Sequence, residues 1–410
     1  MSRLRILLFT HAIARHADDH PQFINELALA WQRAGHEVEI LTASHHSIDR
    51  QRLDPRLRVT LYRYAPKRLE RLGYGESLRE DRRLDRAAPL LAPLLFLAGT
   101  AALRRKIGSM RPDLIHVHWA LPNGPMAALA TIGTGVPYIL SFPGSDVTVI
   151  RAHPLLTAIG RWCCARACAL TTNSHDLRDA VAACGVPAAR FHFVLYGSDE
   201  EIVPRDDDCI ARICTRFGID RSTTLVLAVG RMVPKKGFRY LIEALPRIDR
   251  LLGRTAPCTL LLVGEGPLRE ELQRLAERLG VRERVIFAGK VAYRQLPQWY
   301  WLADILAMPA VREPADGLNV VVVEAMKYAL PVAATDVGGN ELVVRDGENG
   351  RLCPERDPDG LARCLAELIE DPERRTRMGA AGRRIFRQIA SWDRIVEQYE
   401  RLFRTAARRR

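Results

Sequence analysis

What this 410-residue sequence lacks narrows its nature before any motif is considered. No apolar run reaches the roughly 20 residues that a membrane-spanning helix needs. The longest, AAPLLAPLLFLAGTAAL at residues 87–103, is interrupted by Pro89, Pro93 and Gly99. The opening MSRLRILLFTH has too short an apolar core for a signal peptide and reads as a first strand. The nine cysteines are odd in number and contain no CxxC pair, so reduced thiols in a cytosolic protein are expected rather than a disulfide framework. Cys163, Cys164 and Cys168 cluster, at a spacing that suits packing on an apolar helix better than zinc. Aromatics make up only 7% of the chain, and none interleaves with basic residues as in RNA-binding motifs. With no zinc-finger or helix-turn-helix signature either, nucleic acid is not an expected partner. A third glycine is missing after Gly264 and Gly266, where Arg269 stands, so a hydride-transferring dehydrogenase loses most of its support.

What is present describes an ordinary globular chain, 48% apolar and 27% charged, with material for two cores. The net charge of +13 favours anionic partners such as phosphorylated small molecules or an anionic membrane surface. Arginines flank the 87–103 run, giving two readings of it: a buried helix, or a helix resting on the headgroup layer. Short apolar runs alternate with helix-like segments. LRILLFT, HEVEILTA, DLIHVHW, PYILSF and ACALTTNS in the first half, and TLVLAVG, TLLLVGEG, RVIFAG, ILAMPA and PVAATDVGG in the second, read as strands. This pattern predicts an α/β fold of two doubly wound, Rossmann-like domains with parallel sheets. The polar, proline-punctuated residues 197–218 mark the boundary, giving domains 1–198 and 199–387, with a final helix at 388–410 expected to pack back on the first. Ligands of such sheets bind outside the strands' carboxyl ends, so a central cleft between facing domains is the expected place for chemistry.

Four segments stand at those ends. In VGRMVPKKGFRYLIEAL, Arg231, Lys235 and Lys236 lie between a strand and a helix, which makes an anion site suited to phosphate, or else a solvated basic loop. Gly264 and Gly266 mark a tight strand-to-helix turn near a ligand. In SFPGSDV, Gly144, Ser145 and Asp146 follow a strand, and Asp146 either meets a ligand hydroxyl or caps the next helix. Asp206 and Asp208 form a DxD pair, but they fall in the linker and read as linker charge. The fourth segment is VREPADGLNVVVVEAMKYALP. Its valines look like a strand, yet a parallel sheet needs a crossover here, so residues 320–330 are expected to be a helix with Asn319 as its N-cap. Asp316 and Glu324 would then lie roughly 12 Å apart if the helical rise held throughout. That spacing suits two ends of a sugar nucleotide better than one metal.

These segments together are similar to the retaining glycosyltransferases of family 4, which have the GT-B architecture. The acidic-x7-acidic motif matches Asp316 and Glu324, and GHEVEILTA, RPDLIHVHWALPNG and LVGEGPLREELQRLAERLG also match in order. The resemblance implies a metal-independent, retaining hexosyltransferase with no cofactor, using a UDP-, GDP- or ADP-sugar. Arg231 and Lys236 would hold the donor diphosphate. Asp316 and the backbone of Gly317, Leu318, Asn319 and Val320 would hold the donor sugar and phosphate, Glu324 the ribose. Gly144, Ser145 and Asp146 would face the reacting sugar. The basic N-terminal half with its apolar 87–103 run points to a lipid-linked saccharide or cell-surface glycan precursor as the acceptor, with the protein at the inner membrane surface. Alternatives are a non-catalytic sugar-nucleotide-binding subunit and a 2-epimerase. Pro143 stands where many relatives carry histidine, Asp316 where many carry glutamate, and the first loop lacks the usual glycine pair.

Overall fold

A computed structural model describes residues 3–16, 18–19, 22–72, 78–79, 83–84, 88–253, 258–313 and 315–407. The chain forms two compact units. The first comprises Met1–Tyr196, Ala315–Gly317 and Trp392–Arg410; the second comprises Gly197–Pro314 and Leu318–Ser391.

In the first unit the strands are β1 (Arg5–Thr10), β2 (Glu37–Ala43), β3 (Val59–Tyr62), the antiparallel pair β4 (Leu78–Arg79) and β5 (Arg83–Leu84), then β6 (Leu114–His118), β7 (Tyr138–Phe142), β8 (Ala169–Thr172) and β9 (Phe191–Phe193). All except β4 and β5 join one parallel sheet in the order β3-β2-β1-β6-β7-β8-β9. Strands buried on both faces need apolar residues at nearly every position. Ile6, Leu7, Leu8 and Phe9 of β1 are accordingly all fully buried. The order reverses between β1 and β6, which is where the loops after neighbouring strands splay apart.

The helix Ala88–Met110 returns the chain from β3 to β6. It is neither wholly buried nor wholly a surface helix. Leu91, Leu95, Leu103 and Ile107 enter the core, whereas Leu90 is 80% exposed and Leu94 and Leu97 also face outward. On the opposite face of the sheet, the helix Trp392–Ala407 buries Trp392, Ile395, Val396, Tyr399 and Phe403 in the first unit. Each such side chain contributes roughly 1.5–3 kcal/mol. Polar ties add to this apolar seam: Trp392 Nε1 donates to Glu26 at 3.1 Å, and His36 Nε2 lies 3.1 Å from Glu400.

The second unit contains β10 (Thr224–Val229), β11 (Cys258–Val263), β12 (Val285–Gly289), β13 (Ile305–Met308), β14 (Val332–Thr335) and β15 (Gly350–Cys353), parallel in the order β12-β11-β10-β13-β14-β15. Its order reverses between β10 and β13. Half of the expected linker is in fact structured. Asp206 caps the helix Asp207–Phe217 by accepting from Cys209 N at 2.8 Å, and Gly218 closes it in the left-handed conformation. The charges of the DDD run favoured a linker reading, but acids at a helix start are stabilised by its free N–H groups.

Candidate functional site

At the second sheet's switch point, the loop after β10 supplies Arg231 and Lys236, and the segment after β13 supplies residues 318–324. The valines do form a helix, Val320–Lys327. Val322 and Val323 are fully buried, as a crossover pressed onto the sheet requires. Asn319 occupies the N-cap position without making a cap bond. Its Oδ1 instead accepts from Lys236 Nζ at 2.6 Å, while its Nδ2 donates to Asn340 Oδ1 at 3.1 Å. Asn340 is buried and anchored to Thr335 O at 3.0 Å. The side chain that would have capped the helix is thus used to hold the lysine. The first-turn N–H groups lack that cap and stand beside an ammonium group, an arrangement that attracts phosphate oxygens.

Glu324 lies within this helix, and its Oε2 accepts from the Tyr300 hydroxyl at 2.5 Å. Tyr300 stacks on Tyr328 with ring centroids 5.4 Å apart. Burial first, and the Glu324 carboxylate second, hold the Tyr300 hydroxyl well above its usual pKa, so it stays a donor. One oxygen of Glu324 is thereby oriented by the protein. A carboxylate held this way is suited to accept from paired hydroxyls of a ligand.

Gly264 and Gly266 are explained by backbone packing. A Cβ on Gly264 would fall 2.0 Å from Gly230 O, and one on Gly266 would fall 2.5 Å from Met232 O. The two strand-end loops therefore touch through their main chains, which brings Arg231 and the turn after β11 together. Lys235 is buried, and its carbonyl accepts from Val311 N at 2.9 Å.

Asp316 and Gly317 pack in the first unit. The Ser174 hydroxyl donates to Asp316 O at 2.8 Å. A Cβ on Gly317 would lie 2.4 Å from Asn173 Oδ1 and 2.6 Å from Pro143 O, so glycine is needed there. Asp316 Oδ1 is 3.4 Å from the Cβ position of Gly144, placing the predicted sugar-side residues Asp316 and Gly144 side by side. Gly144, with φ of 146°, precedes the helix Ser145–Arg151. Asp146 lies in the first turn of that helix. It is buried and ties two strand-end loops together, accepting from Ala120 N at 2.8 Å and Gly144 N at 3.2 Å. Burial raises its pKa to about 7, against the lowering effect of those N–H groups.

The first sheet's switch point holds a group that the sequence motifs did not single out. His11 after β1 and Trp119 after β6 lie 4.6 Å apart between ring centroids, with Phe23 5.8 Å from Trp119. All three are half-buried. Trp119 has φ of 66°, a costly conformation for a side chain of this size and one that clusters at functional positions. Behind it, His118 Nε2 meets the Tyr196 hydroxyl at 2.9 Å and His116 Nε2 meets Ser141 Oγ at 2.7 Å. Burial depresses His116 to about 3 and His11 to about 4, and holds His118 well below the usual histidine range. The clue in the sequence was an HVHW run that alternates polar and apolar residues in a strand buried on both faces.

Residues 213–385 match the family described as Glycosyl transferases group 1, and residues 21–197 match the Glycosyl transferase 4-like domain. The chain is 36% identical over 330 residues to the GDP-mannose-dependent alpha-(1-6)-phosphatidylinositol monomannoside mannosyltransferase of Mycolicibacterium smegmatis, covering 78% of this chain and 84% of that one. It is 28% identical over 411 residues to the D-inositol 3-phosphate glycosyltransferase of Xylanimonas cellulosilytica, covering 95% and 92%. Its fold resembles that of sucrose-phosphate synthase from Thermosynechococcus elongatus, at a TM-score of 0.76, 22% identity and 98% coverage of both chains. The crystal structure of Anabaena HepE in complex with UDP is similar as well, at a TM-score of 0.74, 19% identity and coverage of 98% and 100%.

Proposed function

This chain belongs to the family 4 glycosyltransferases, of GT-B fold, and on that premise we propose that it transfers a hexose from a nucleoside diphosphate sugar to a lipid-linked saccharide or related glycan precursor. The observation that carries the donor side is the grouping of Lys236, Asn319 and Glu324 at one switch point. A diphosphate would lie against Lys236, Arg231 and the uncapped helix start, and the ribose hydroxyls against Glu324. Negative charge develops on the leaving nucleotide in the transition state, so fixed cations and N–H dipoles there lower the barrier without a metal ion. In this reading transfer retains anomeric configuration, and the departing phosphate takes the acceptor's proton. The mannosyltransferase relative makes GDP-mannose the first donor to test.

The acceptor side rests on the helix Ala88–Met110. Among the described residues no helix is long and apolar enough to cross a membrane. This helix nonetheless exposes Leu90, Leu94 and Leu97, with Arg104 and Arg105 exposed farther along. Residues 86–175 hold eight Lys and Arg but only Asp113 and Asp146 as acids, and Asp113 is bonded to Arg5. Apolar contact plus a cationic field fits peripheral attachment to an anionic inner membrane surface.

A thermal-shift screen across UDP-, GDP- and ADP-sugars, followed by transfer assays with lipid acceptors, tests the proposal. Lys236→Ala and Glu324→Ala should each abolish transfer while the melting curve keeps its cooperative form. Unchanged turnover in both would remove the donor-site assignment. Sedimentation with anionic vesicles at low salt should capture the chain, and a Leu90/Leu94/Leu97→Ser triple variant should stay in solution. Absence of wild-type capture would end the membrane part.

A further inference from the structure

At the first unit's switch point, one histidine has the position of its proton fixed by a neighbour. His11 follows β1, and Asn123 lies in the helix Ala120–Ala130 that follows β6. Asn123 is fully buried. Its Nδ2 donates to His118 O at 2.7 Å and stands 3.2 Å from His11 Nδ1. A backbone carbonyl only accepts, so the first bond fixes which end of the amide is the NH2 group. Turning the amide over would press its oxygen against His118 O. The other hydrogen of that NH2 group meets His11 Nδ1, which must therefore accept. A neutral imidazole that accepts at Nδ1 carries its proton on Nε2. Burial keeps His11 neutral by lowering its pKa to about 4. Moving the proton to Nδ1 would set two N–H donors against each other, a state disfavoured by roughly tenfold or more.

Nε2 is the outward end of this arrangement. Among the described residues it has no hydrogen-bond partner, and it is not closed off from solvent as the Nδ1 atoms of His116 and His118 are. The His11 ring lies 4.6 Å from that of Trp119, which is half-buried. An N–H donor beside a partly exposed indole suits an uncharged polyol ring, whose C–H face packs on the aromatic face while a hydroxyl oxygen accepts. Asn123 supports both parts. Its bond to His118 O holds the peptide that precedes Trp119, and Trp119 N donates to Ser141 O at 3.1 Å, so the residue with φ of 66° is braced on both sides. Among the described residues no carboxylate is bonded to His11. The ring thus lacks the anionic partner that stabilises an imidazolium when histidine serves as a base.

We propose that Asn123 is a positioning residue that locks His11 as an Nε2–H donor to an uncharged hydroxyl oxygen of the acceptor, so that His11 orients the acceptor and is not the base for its proton. The inference rests on the transferase reading and narrows it. With this ring unable to accept, the acceptor's proton has to leave by another group, which in that reading is the departing phosphate.

Long-range proton–nitrogen correlation spectra of the unliganded full chain, carrying isotope-labelled histidine at about pH 7, read the lock directly. The His11 signals are assigned by their loss in His11→Gln. Nδ1 should appear unprotonated and Nε2 protonated. Asn123→Leu, close to asparagine in shape, should let the two tautomers mix; should that variant not fold, the wild-type spectrum decides alone. A proton on Nδ1, or mixed tautomers in the wild type, overturns the lock. Transfer from GDP-mannose to octyl α-mannoside reads the role. His11→Phe should raise acceptor KM by roughly five- to tenfold, the scale of one lost hydrogen bond, with donor KM unchanged. His11→Gln keeps an N–H donor and should recover most of that loss, whereas His11→Glu offers a base without a donor and should not. Activity kept by His11→Glu and lost in kcat by His11→Gln would make His11 the base and overturn the proposal. Equal acceptor KM in wild type and all three variants would overturn it as well. Absence of wild-type turnover with every donor and acceptor tried removes the transferase reading and the acceptor role with it, while the tautomer is decided without any ligand.

Discussion

Single residues in this protein act through what holds them. Glu324 matters as a carboxylate whose orientation Tyr300 sets, and Lys236 as an ammonium group that Asn319 and Asn340 keep beside a helix start. Tyr300→Phe removes the hydroxyl without changing the stacked pair with Tyr328. A hydrogen bond to a charged group is worth about 1.5–3 kcal/mol. The variant should therefore raise donor KM by roughly tenfold or more with a smaller change in kcat, measured by initial rates over donor concentration. An unchanged KM would mean that Glu324 needs no such orientation. Asp316 and Glu324 were singled out as candidates by their spacing, and Lys236 by its place before a helix. Tyr300 and Asn340 were not, because their roles depend on partners 24 and 21 positions away in the chain.

At the scale of elements, strand-end loops are packed so closely that several positions admit no side chain. A Cβ on Gly237 would lie 1.7 Å from Pro309 O, and one on Gly264 would lie 2.0 Å from Gly230 O with φ of 138°. Gly264→Ala should cost about 3 kcal/mol or more through strain and displaced backbone, lowering the melting temperature by roughly 5–10 °C. Gly108→Ala, in the helix Ala88–Met110 with nothing within 4 Å, should be neutral or slightly stabilising. Parallel melts of the two variants check both claims. The same scale explains which elements could be read in advance. The ten strand runs located from apolar clustering correspond to β1, β2, β6, β7, β8 and β10–β14. Missed were the edge strands β3, β9 and β15, each four residues or fewer, and the two-residue pair β4 and β5, all too short or too weakly apolar to show as clusters. The helix at Val320–Lys327 was legible only through topology, since valine's own preference points to strand.

For the whole molecule, buried titratable groups pull stability in opposite directions with pH. His11 and His116 have folded pKa values depressed to about 4 and about 3 from 6.5. The unfolded chain binds their protons more readily, so stability rises with pH from about 3 until 6.5. Asp146 has its value raised from 3.8 to about 7, so the folded chain holds that proton longer and stability falls as pH rises between those two values. Histidines outnumber the single acid, and the net curve should climb between about pH 4 and 6.5. Asp146→Asn removes the opposing slope and should make the climb steeper, as seen in melting temperature against pH. A flatter curve in the variant would show that Asp146 is ionised in the folded protein.

Residue order alone determined the alternation of strands and helices, the parallel sheets and the family, because all of these follow from local patterning and contiguous motifs. Tertiary structure decided the rest. It drew Asn319 off its cap, gave Asp146 to loop bracing, and made the helix Ala88–Met110 half core and half surface. Each of these outcomes depends on which distant group arrives within hydrogen-bonding or packing distance, and no short-range pattern encodes that arrival.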